Sequence, residues 1–286
     1  MRRRSLCGIF LAAALSLVWG CAGMDYASIA TIAVKTTAKA AEASRPISDS
    51  EEYYIGRAVA ARVLGTNRLV QDPQLIAYVN EVGETVARKS PRPNTYKGYH
   101  FAVLDTDVPN AFACPGGIIF VTKGLVLMCG NEDELAAVLA HEVGHVANKD
   151  GINSISKARW TQVLTTLGTE TAKQYAGAGG QIISLFEGSI DDVFKTIVVN
   201  GYSRSAEEAA DAEAVATLRK AGYDPGALSA LLTKMMAKQG AGSSGIFKTH
   251  PPTSERLAKL KSIAPATETP SKLEAVRTKR FKSVKI

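Results

Sequence analysis

The feature that most constrains the fold of this 286-residue chain is the run His141-Glu142-Val143-Gly144-His145. On an α-helix each residue turns the chain by about 100°, so His145 returns to within about 40° of His141. Glu142 then lies on the same side of the helix. Two imidazoles arranged in this way can bind one zinc ion while the carboxylate lies beside the open position of the metal. The run therefore predicts a helix with a zinc site, in which Glu142 can accept a proton from an attacking water.

The residues around this run also favour a helix. Asn131 is a good N-cap, and Glu134 follows three residues later, as in a capping box. An apolar stripe at helical spacing is formed by Leu135, Val138, Leu139, Val143 and Val146. Gly144 costs a helix about 1 kcal/mol relative to alanine, so we expect another element, such as a strand over the metal, to pack closely there. The alternative is a helix with two histidines on a polar face.

A catalytic zinc of this kind needs a third protein ligand. The best candidate lies in the segment 203–211, at the start of a helix predicted over 206–220. Glu207 and Asp211 are four residues apart and share one helix face. Glu207 can complete a His₂Glu site, and Asp211 can accept the outer N–H of a ligand histidine, which fixes its tautomer and orientation. The alternative is a solvated acidic face, formed by Glu207, Glu208, Asp211 and Glu213.

Three motifs occur in order along the chain: H-E-V-G-H, then S-R-x-x-E-x-x-A-D, then T-H-P-P-T-x-E-R. Together they resemble the zinc metallopeptidases of family M48, over roughly residues 50 to 262. That family includes the HtpX-type heat-shock proteases, the CAAX prenyl protease and the Oma-type mitochondrial proteases, and bacterial periplasmic lipoprotein members are the best match. The resemblance implies an α+β, mainly helical, zincin-like metallopeptidase domain with a small β-sheet beside the H-E-x-x-H helix. It also implies that His141, His145 and Glu207 bind one Zn²⁺ per chain and that Glu142 is the catalytic base.

The third motif contains two further candidate catalytic residues, His250 and Arg256. The resemblance places this segment over the active site. His250 would then stabilise the oxyanion or occupy the fourth zinc position in a resting state. Arg256 would hold the charge of the tetrahedral intermediate or brace a nearby carboxylate. The alternative for His250 is a loop histidine without a role.

A candidate substrate-binding segment lies between two predicted strands, Tyr99 to Leu104 and Gly117 to Thr122. Its residues are Asn110, Ala111, Phe112 and Ala113. The resemblance places this segment beside the zinc helix as an edge strand, to which an extended peptide can add by main-chain hydrogen bonds. Such binding recognises the backbone more than side chains, so we expect broad specificity. An ordinary hairpin with Pro-Gly-Gly as its turn is compatible with the same residues.

The amino terminus indicates export. Arg2 to Arg4 precede an apolar run from Leu6 to Trp19, which predicts a secretory signal peptide over residues 1–20. The run has 14 residues, too few for a comfortable membrane span. The sequence Val-Trp-Gly before Cys21 resembles a lipobox, so we expect Cys21 to be lipidated and to start a tether over 21–47. The predicted location is an outer-membrane lipoprotein facing the periplasm. The alternative, ordinary cleavage after Ala22, gives a soluble periplasmic protein.

Two cysteines, Cys114 and Cys129, lie outside the predicted signal peptide and lipidation site. Cys114 and Cys129 form either a disulfide in an oxidising compartment or two buried thiols.

The formal net charge is +7, of which +3 comes from Arg2 to Arg4 and +4 from residues 266–286. The rest of the chain is neutral, so no nucleic-acid partner is expected. The basic tail, residues 265–286, either contacts an anionic membrane surface or, by default, stays solvated.

The remaining pattern predicts one domain over residues 48–264. Its helices are expected near 49–65, 73–89, 154–175, 181–199, 206–220, 225–238 and 252–262.

The leading function is a periplasm-facing zinc endopeptidase, and the resemblance suggests unfolded or misfolded envelope proteins as its substrates. The first alternative is a latched or inactive zinc-site lipoprotein that acts as a binding protein or chaperone, with His250 as the fourth ligand. The second is a membrane-surface adaptor that uses the lipid and the basic tail. The oligomeric state is not indicated.

Overall fold

The computed structural model describes residues 46–155, 188–238, 245–264 and 272–284. Its helices are α1 (Asp49–Leu64), α2 (Pro73–Ala87), α3 (Lys123–Met128), α4 (Glu132–Ala147), α5 (Asp150–Asn153), α6 (Arg204–Ala221), α7 (Ala227–Lys238), α8 (Ile246–Thr249), α9 (Ser254–Ile263) and α10 (Lys272–Ser283). Residues 188–194 are also helical and continue into a π-helix, Lys195–Asn200. The strands are β1 (His100–Leu104), β2 (Ala111–Cys114) and β3 (Ile118–Thr122). The predicted fold class, mainly helical α+β with a small sheet, is confirmed.

The sheet has the strand order β1-β3-β2, with β1 parallel and β2 antiparallel to β3. β2 is therefore an edge strand, and it is joined to β3 by a one-turn 3₁₀-helix, Pro115–Gly117. Gly116 and Gly117 have φ values of 76° and 104°, which glycine adopts at little cost. The hairpin and the edge strand expected from the sequence are thus the same element.

Helix α4 forms the centre of the fold. It packs against α2, α6, α7, α10 and β2, and every residue from Glu132 to Val146 is buried. The side chain of Asn131 accepts a hydrogen bond from the Glu134 N–H (2.9 Å), as expected for the N-cap. Because His141 and His145 lie inside the protein, the alternative of two histidines on a polar face is wrong.

The element that packs against Gly144 is helix α6. A Cβ atom on Gly144 would lie 3.1 Å from the carbonyl oxygen and 3.2 Å from the Cα atom of Ala210. The expected close contact is therefore present, but the strand suggested over this glycine is wrong. Two small residues let the backbones of α4 and α6 approach, and this approach brings the two metal-ligand segments together.

Two apolar clusters lie on opposite faces of the sheet. Ala111 and Ala113 belong to the cluster that contains α2, α4, α6 and α7, whereas Phe112 and Cys114 belong to the cluster that contains α1 and residues 188–200. This alternation follows from the period of two along a strand. Strand β2 is consequently buried on both faces, and its unpaired edge is covered as well, since Ala111 and Ala113 are at most 3% exposed.

Helix α1 supports the turn between β2 and β3. A Cβ atom on Gly56 would lie 1.8 Å from the carbonyl oxygen of Pro115, so only glycine fits there. Glu52 is fully buried and accepts hydrogen bonds from the Gly116 N–H (3.0 Å) and from Arg92 (2.8 and 2.9 Å). The position of the turn is thus fixed by a charged network as well as by packing.

The two cysteines are free and buried, so the disulfide considered above is not formed. Cys114 pairs with Ile118 at the start of β3, whereas Cys129 follows α3, beyond the far end of that strand. Burial raises the pKa of both thiols. Two buried thiols is the alternative that the structure supports.

The basic C-terminal segment folds back onto the domain as α10. Arg277 binds both carboxylate oxygens of Asp133 (3.0 and 2.8 Å), and Arg280 Nε donates to Glu132 (2.7 Å). Phe281 is buried in the core that contains α4. The expectation that this segment stays solvated is therefore wrong for Arg277 and Arg280, which pair with carboxylates at the start of α4, and for Phe281. Leu273, Val276 and Lys279 are exposed, in agreement with that expectation.

Several expectations fall outside the described residues. These are the signal peptide, the lipidation site Cys21, most of the tether, the helix near 154–175 and the first part of the helix near 181–199. Within the described ranges, none of the helices is both long enough and apolar enough to cross a membrane.

Candidate metal centre

Four buried side chains with metal-binding atoms converge next to α4. His141 and His145 come from α4, Glu207 comes from the first turn of α6, and His250 directly follows α8. Each of them is at most 5% exposed. Their potential ligand atoms all lie within 4.8 Å of one another. The structure thus brings together the three ligands predicted from the sequence and the histidine considered as a fourth.

The separations between these atoms match those around a tetrahedral zinc ion. Zinc bonds to nitrogen and oxygen of about 2.0–2.1 Å give a tetrahedron with edges of about 3.3–3.4 Å. His141 Nε2 lies 3.1 Å from His145 Nε2 and 3.4 Å from Glu207 Oε2. His145 Nε2 lies 3.4 Å from Glu207 Oε1. His250 Nδ1 lies 2.9 Å from Glu207 Oε1 and 3.3 Å from His141 Nε2, so it is a fourth donor beside the other three.

Each histidine of α4 has a carboxylate beside its outer nitrogen. Asp211 Oδ1 lies 3.0 Å from His141 Nδ1, the arrangement expected for Asp211. Asp150 Oδ2 lies 2.7 Å from His145 Nδ1. Such carboxylates orient the imidazole and leave Nε2 free as a ligand. Asp150 was not predicted, because it lies beyond the end of α4, where Lys149 at φ 57° turns the chain back towards the centre.

Arg256 joins the two carboxylates of α6. Its Nε and Nη2 donate to Asp211 Oδ2 (2.9 Å) and Oδ1 (2.8 Å), and its Nη1 lies 2.8 Å from Glu207 Oε2. Nη1 also donates to the carbonyl of Pro251 (3.0 Å). Of the two roles considered for Arg256, bracing a nearby carboxylate corresponds to this geometry.

The electrostatics of the centre favour a bound cation. Burial alone would raise the pKa of Glu207, but His250 and hydrogen bonds from the histidines hold it well below its usual value. Burial likewise opposes the shift at Asp211, where Arg256 and His141 lower the pKa to about 2. For His141, burial favours the neutral ring, but Asp211 and Glu207 outweigh it and raise the pKa to about 10. The carboxylates therefore stay ionised and attract positive charge to the imidazoles.

Glu142 lies beside the cluster but is not one of its four members. It is buried, and its Oε2 has no hydrogen-bond partner among the described residues. Its Oε1 lies 3.5 Å from His250 Nε2. Leaving a buried acceptor without a partner costs about 1–3 kcal/mol. This cost makes sense if the oxygen is kept available for a substrate or a water.

Tyr202 is a neighbour of the centre that was not singled out from the sequence. Its ring stacks on the ring of His145, with centroids 4.2 Å apart and an interplanar angle of 27°. It precedes Ser203, the N-cap of α6, whose side chain accepts a hydrogen bond from the Ala206 N–H. An aromatic residue directly before the cap of the helix that carries Glu207 is the signal that could have identified it.

The candidate substrate segment lies along the free edge of the sheet. The Thr122 N–H donates to the carbonyl of Asn110 (2.9 Å), so alternate residues of β2 direct their main-chain groups towards β3. Ala111 and Ala113 direct theirs to the other edge, where no described strand pairs with β2. The side-chain Oδ1 of Asn110 accepts from the Ala111 N–H (3.0 Å) and lies 3.2 Å from Thr249 Oγ1. Asn110 thereby links the start of β2 to the residue before His250.

Comparison with known proteins places this arrangement in context. The sequence profile of peptidase family M48 matches residues 73–264. The Beta-barrel assembly-enhancing protease of Escherichia coli (strain K12) is 26% identical over 225 residues, which cover 78% of this chain and 45% of that protein. The mitochondrial metalloendopeptidase OMA1 of Schizosaccharomyces pombe is 30% identical over 168 residues, covering 58% of this chain and 47% of that protein. Metalloprotease LoiP of Escherichia coli (strain K12) is 29% identical over 189 residues, covering 66% and 68%. The chain thus spans less than half the length of the first two relatives.

Proposed function

This chain belongs to peptidase family M48, a family of metalloendopeptidases, and from that premise we propose that it hydrolyses peptide bonds with one zinc ion. The observation that supports the proposal most directly is that the Glu207 carboxylate lies 2.9–3.4 Å from all three histidines, while His141 Nε2 lies 3.1 Å from His145 Nε2 and 3.3 Å from His250 Nδ1. His141, His145 and Glu207 would hold the metal. When bound, zinc supplies Lewis-acid chemistry, which polarises the scissile carbonyl and makes water more acidic.

Glu142 is the proposed general base. Its partner-free Oε2 can accept the proton of the attacking water, and the same carboxyl can return that proton to the leaving amine. Because Glu142 is only 1% exposed, this proton transfer takes place away from bulk solvent. Arg256 keeps Glu207 and Asp211 ionised and fixed in position, and Asp211 in turn orients the His141 ring with its Nε2 towards the centre.

His250 is proposed to leave the centre before substrate binds. In this structure its Nδ1 lies 2.9 Å from Glu207 Oε1 and 3.3 Å from His141 Nε2, where it would occupy a ligand position that a substrate carbonyl or a water needs. A permanently closed site would make the protein a binding protein or chaperone. That alternative is not favoured, because the relatives that cover most of the matched region are named as proteases.

The proposed substrates are unfolded or misfolded proteins of the cell envelope. We infer that an extended segment pairs with the Ala111 carbonyl and with the main-chain groups of Ala113, on the edge of β2 that no described strand occupies, once the groups that bury these two residues move aside. One relative is named as a β-barrel assembly-enhancing protease, and this name supports the proposed class of substrates. We infer export by the signal peptide at 1–20, a periplasmic location and a lipid anchor at Cys21 on the outer membrane. Soluble release into the periplasm remains the alternative.

The proposal is tested by zinc analysis together with cleavage of casein. Glu142→Gln is expected to keep one zinc per chain and to lose about 10²–10⁴-fold in rate, since the base is removed while the ligands stay. Glu207→Gln is expected to lose the zinc as well. Glu208→Gln is the matched control, because Glu208 is the next residue of α6 and pairs with Lys259 away from the centre (2.7 Å).

Two results would contradict the proposal. Cleavage by Glu142→Gln at the wild-type rate would remove Glu142 from the mechanism. A wild-type chain that carries one zinc but cleaves neither casein nor short unstructured peptides would favour the closed binding protein instead.

A further inference from the structure

The outer side of helix α10 carries a row of side chains that no described element covers. They recur at every third position of the helix and are Leu273, Val276, Lys279 and Lys282. Residues spaced by three form a continuous ridge along a helix surface. Leu273 is 63% exposed and Val276 is 62% exposed, and both lysines are exposed as well. This row, which we call the ridge, is apolar in its first half and cationic in its second half.

The inner side of α10 finds its partners within the domain, whereas the ridge does not. Arg277 and Arg280 pair with carboxylates at the start of α4, and Phe281 is buried. Among the described residues, neither Lys279 nor Lys282 has an ion-pair partner. Since the inner contacts hold α10 on the domain, the ridge points outward from a fixed support. Its two ammonium groups are available to an anionic partner.

We propose that the ridge binds the surface of an anionic lipid bilayer and holds the domain against it. Lysines near such a surface are attracted by the phosphate groups of its lipids, and their long stems let the ammonium groups reach them. Leu273 and Val276 would leave water for the boundary between headgroups and acyl chains, which is favourable. This contact is separate from the proposed peptidase activity and does not depend on it.

The composition of the ridge favours a lipid surface over a protein partner. The centres of protein interfaces are enriched in aromatic residues and arginine and are depleted of lysine. The ridge has two lysines, two aliphatic residues and no aromatic residue. Residues 266–286 carry a formal charge of +4, whereas residues 5–265 are neutral, so attraction to an anionic surface is concentrated at this end of the chain.

The ridge and the metal centre lie at different positions along α4. The inner side of α10 contacts the first turn of that helix at Glu132, and His141 follows nine residues later. At 1.5 Å per residue, these two positions are about 14 Å apart along the helix axis. Contact with a bilayer through the ridge therefore uses none of the residues of the metal centre.

The first experiment measures how fast an amine-reactive reagent labels individual lysines of the full wild-type chain, with mass spectrometry as the readout. The chain is mixed with vesicles of phosphatidylcholine alone, or of phosphatidylcholine and phosphatidylglycerol at three to one. Labelling of Lys279 and Lys282 is expected to slow several-fold on the mixed vesicles only. Lys89 and Lys97, which are exposed lysines outside α10, should keep their rates. Equal rates at all four lysines on the mixed vesicles would overturn the proposal, and protection of the ridge by soluble polyglutamate alone would assign it to an acidic protein instead.

The second experiment compares the affinity of full-length variants for the mixed vesicles by cosedimentation. Lys279→Gln combined with Lys282→Gln is expected to weaken binding about ten-fold or more. Lys89→Gln combined with Lys97→Gln removes the same charge and should keep the wild-type affinity, so an equal loss in both pairs would overturn the assignment to the ridge.

The apolar half is tested in the same way with Leu273→Gln combined with Val276→Gln. This pair is expected to weaken binding to the mixed vesicles about ten-fold, because less apolar surface leaves water. An unchanged affinity would overturn the insertion of the apolar half. All ridge variants should cleave casein at the wild-type rate in the absence of vesicles, so a failure of the ridge and a failure of the peptidase proposal are distinguishable.

Discussion

Replacing Arg280 by alanine tests whether the C-terminal helix is part of the folded domain. Glu132 is fully buried in the first turn of α4 and is bound by Arg280, by the Tyr78 hydroxyl (2.8 Å) and by the Tyr223 hydroxyl (3.1 Å). Removing one partner of a buried ion pair costs about 3–5 kcal/mol. The Arg280 side chain is 44% exposed and the two hydroxyls remain, so we expect a loss of about 2 kcal/mol in the free energy of unfolding.

The assay is urea unfolding followed by circular dichroism, with two controls. Arg88→Ala removes an exposed pair with Glu84, whose side chains are 73% and 50% exposed, and should change the free energy of unfolding by about 0.5 kcal/mol or less. Adding Glu132→Gln to Arg280→Ala should restore part of the loss, since a neutral amide needs no cation, and should give a coupling energy above about 1 kcal/mol. An effect of Arg280→Ala no larger than that of Arg88→Ala, or additive single effects, would refute the assignment.

Two further substitutions test packing and pH dependence. Gly56→Ala should lower the free energy of unfolding by more than about 2 kcal/mol, because the added Cβ would clash with the Pro115 carbonyl. This loss outweighs the helix propensity of alanine, which favours the variant by about 1 kcal/mol. Higher stability of the variant in thermal unfolding would contradict this packing. The pKa of Asp211 is lowered to about 2 by Arg256 against the opposing effect of burial, so its contribution to stability is present above its unfolded pKa of 3.8 and is lost as pH falls from about 4 to about 2. The stability difference between wild type and Asp211→Asn, measured by urea unfolding, should shrink over that window, and a constant difference would argue against the pair.

The residues of the metal centre that lie on one face of a helix could be predicted from their spacing in the sequence. The spacing of His141 and His145 on one helix, and of Glu207 and Asp211 on another, defines which side chains share a face. The family resemblance then joined the two helices. Residues that reach the centre after a helix ends were not accessible in this way, because the direction of the chain beyond a cap depends on backbone torsions. Asp150 is such a residue, since it follows Lys149 in the left-handed region.

Long-range charge pairing was the second property that the sequence did not reveal. A helix with Arg277 and Arg280 has the composition of a solvated or membrane-facing segment, and the prediction for the tail relied on that composition. Their partners, Asp133 and Glu132, lie 144 and 148 residues earlier in the chain. In the sequence these two residues resemble the acidic residues that are common in the first turn of any helix. Only the packing of α10 on α4 shows that these four charges are paired.

The direct backbone contact between Gly144 and Ala210 limits which cations the centre can hold. It sets the distance between α4 and α6, and hence the span from the two imidazoles to Glu207. Calcium takes six to eight oxygen ligands at 2.3–2.6 Å, which four closely spaced donors with three nitrogens do not provide. Discrimination against calcium therefore rests on the three nitrogen donors, and the contact between Gly144 and Ala210 holds the helix of two of these donors against the helix of Glu207.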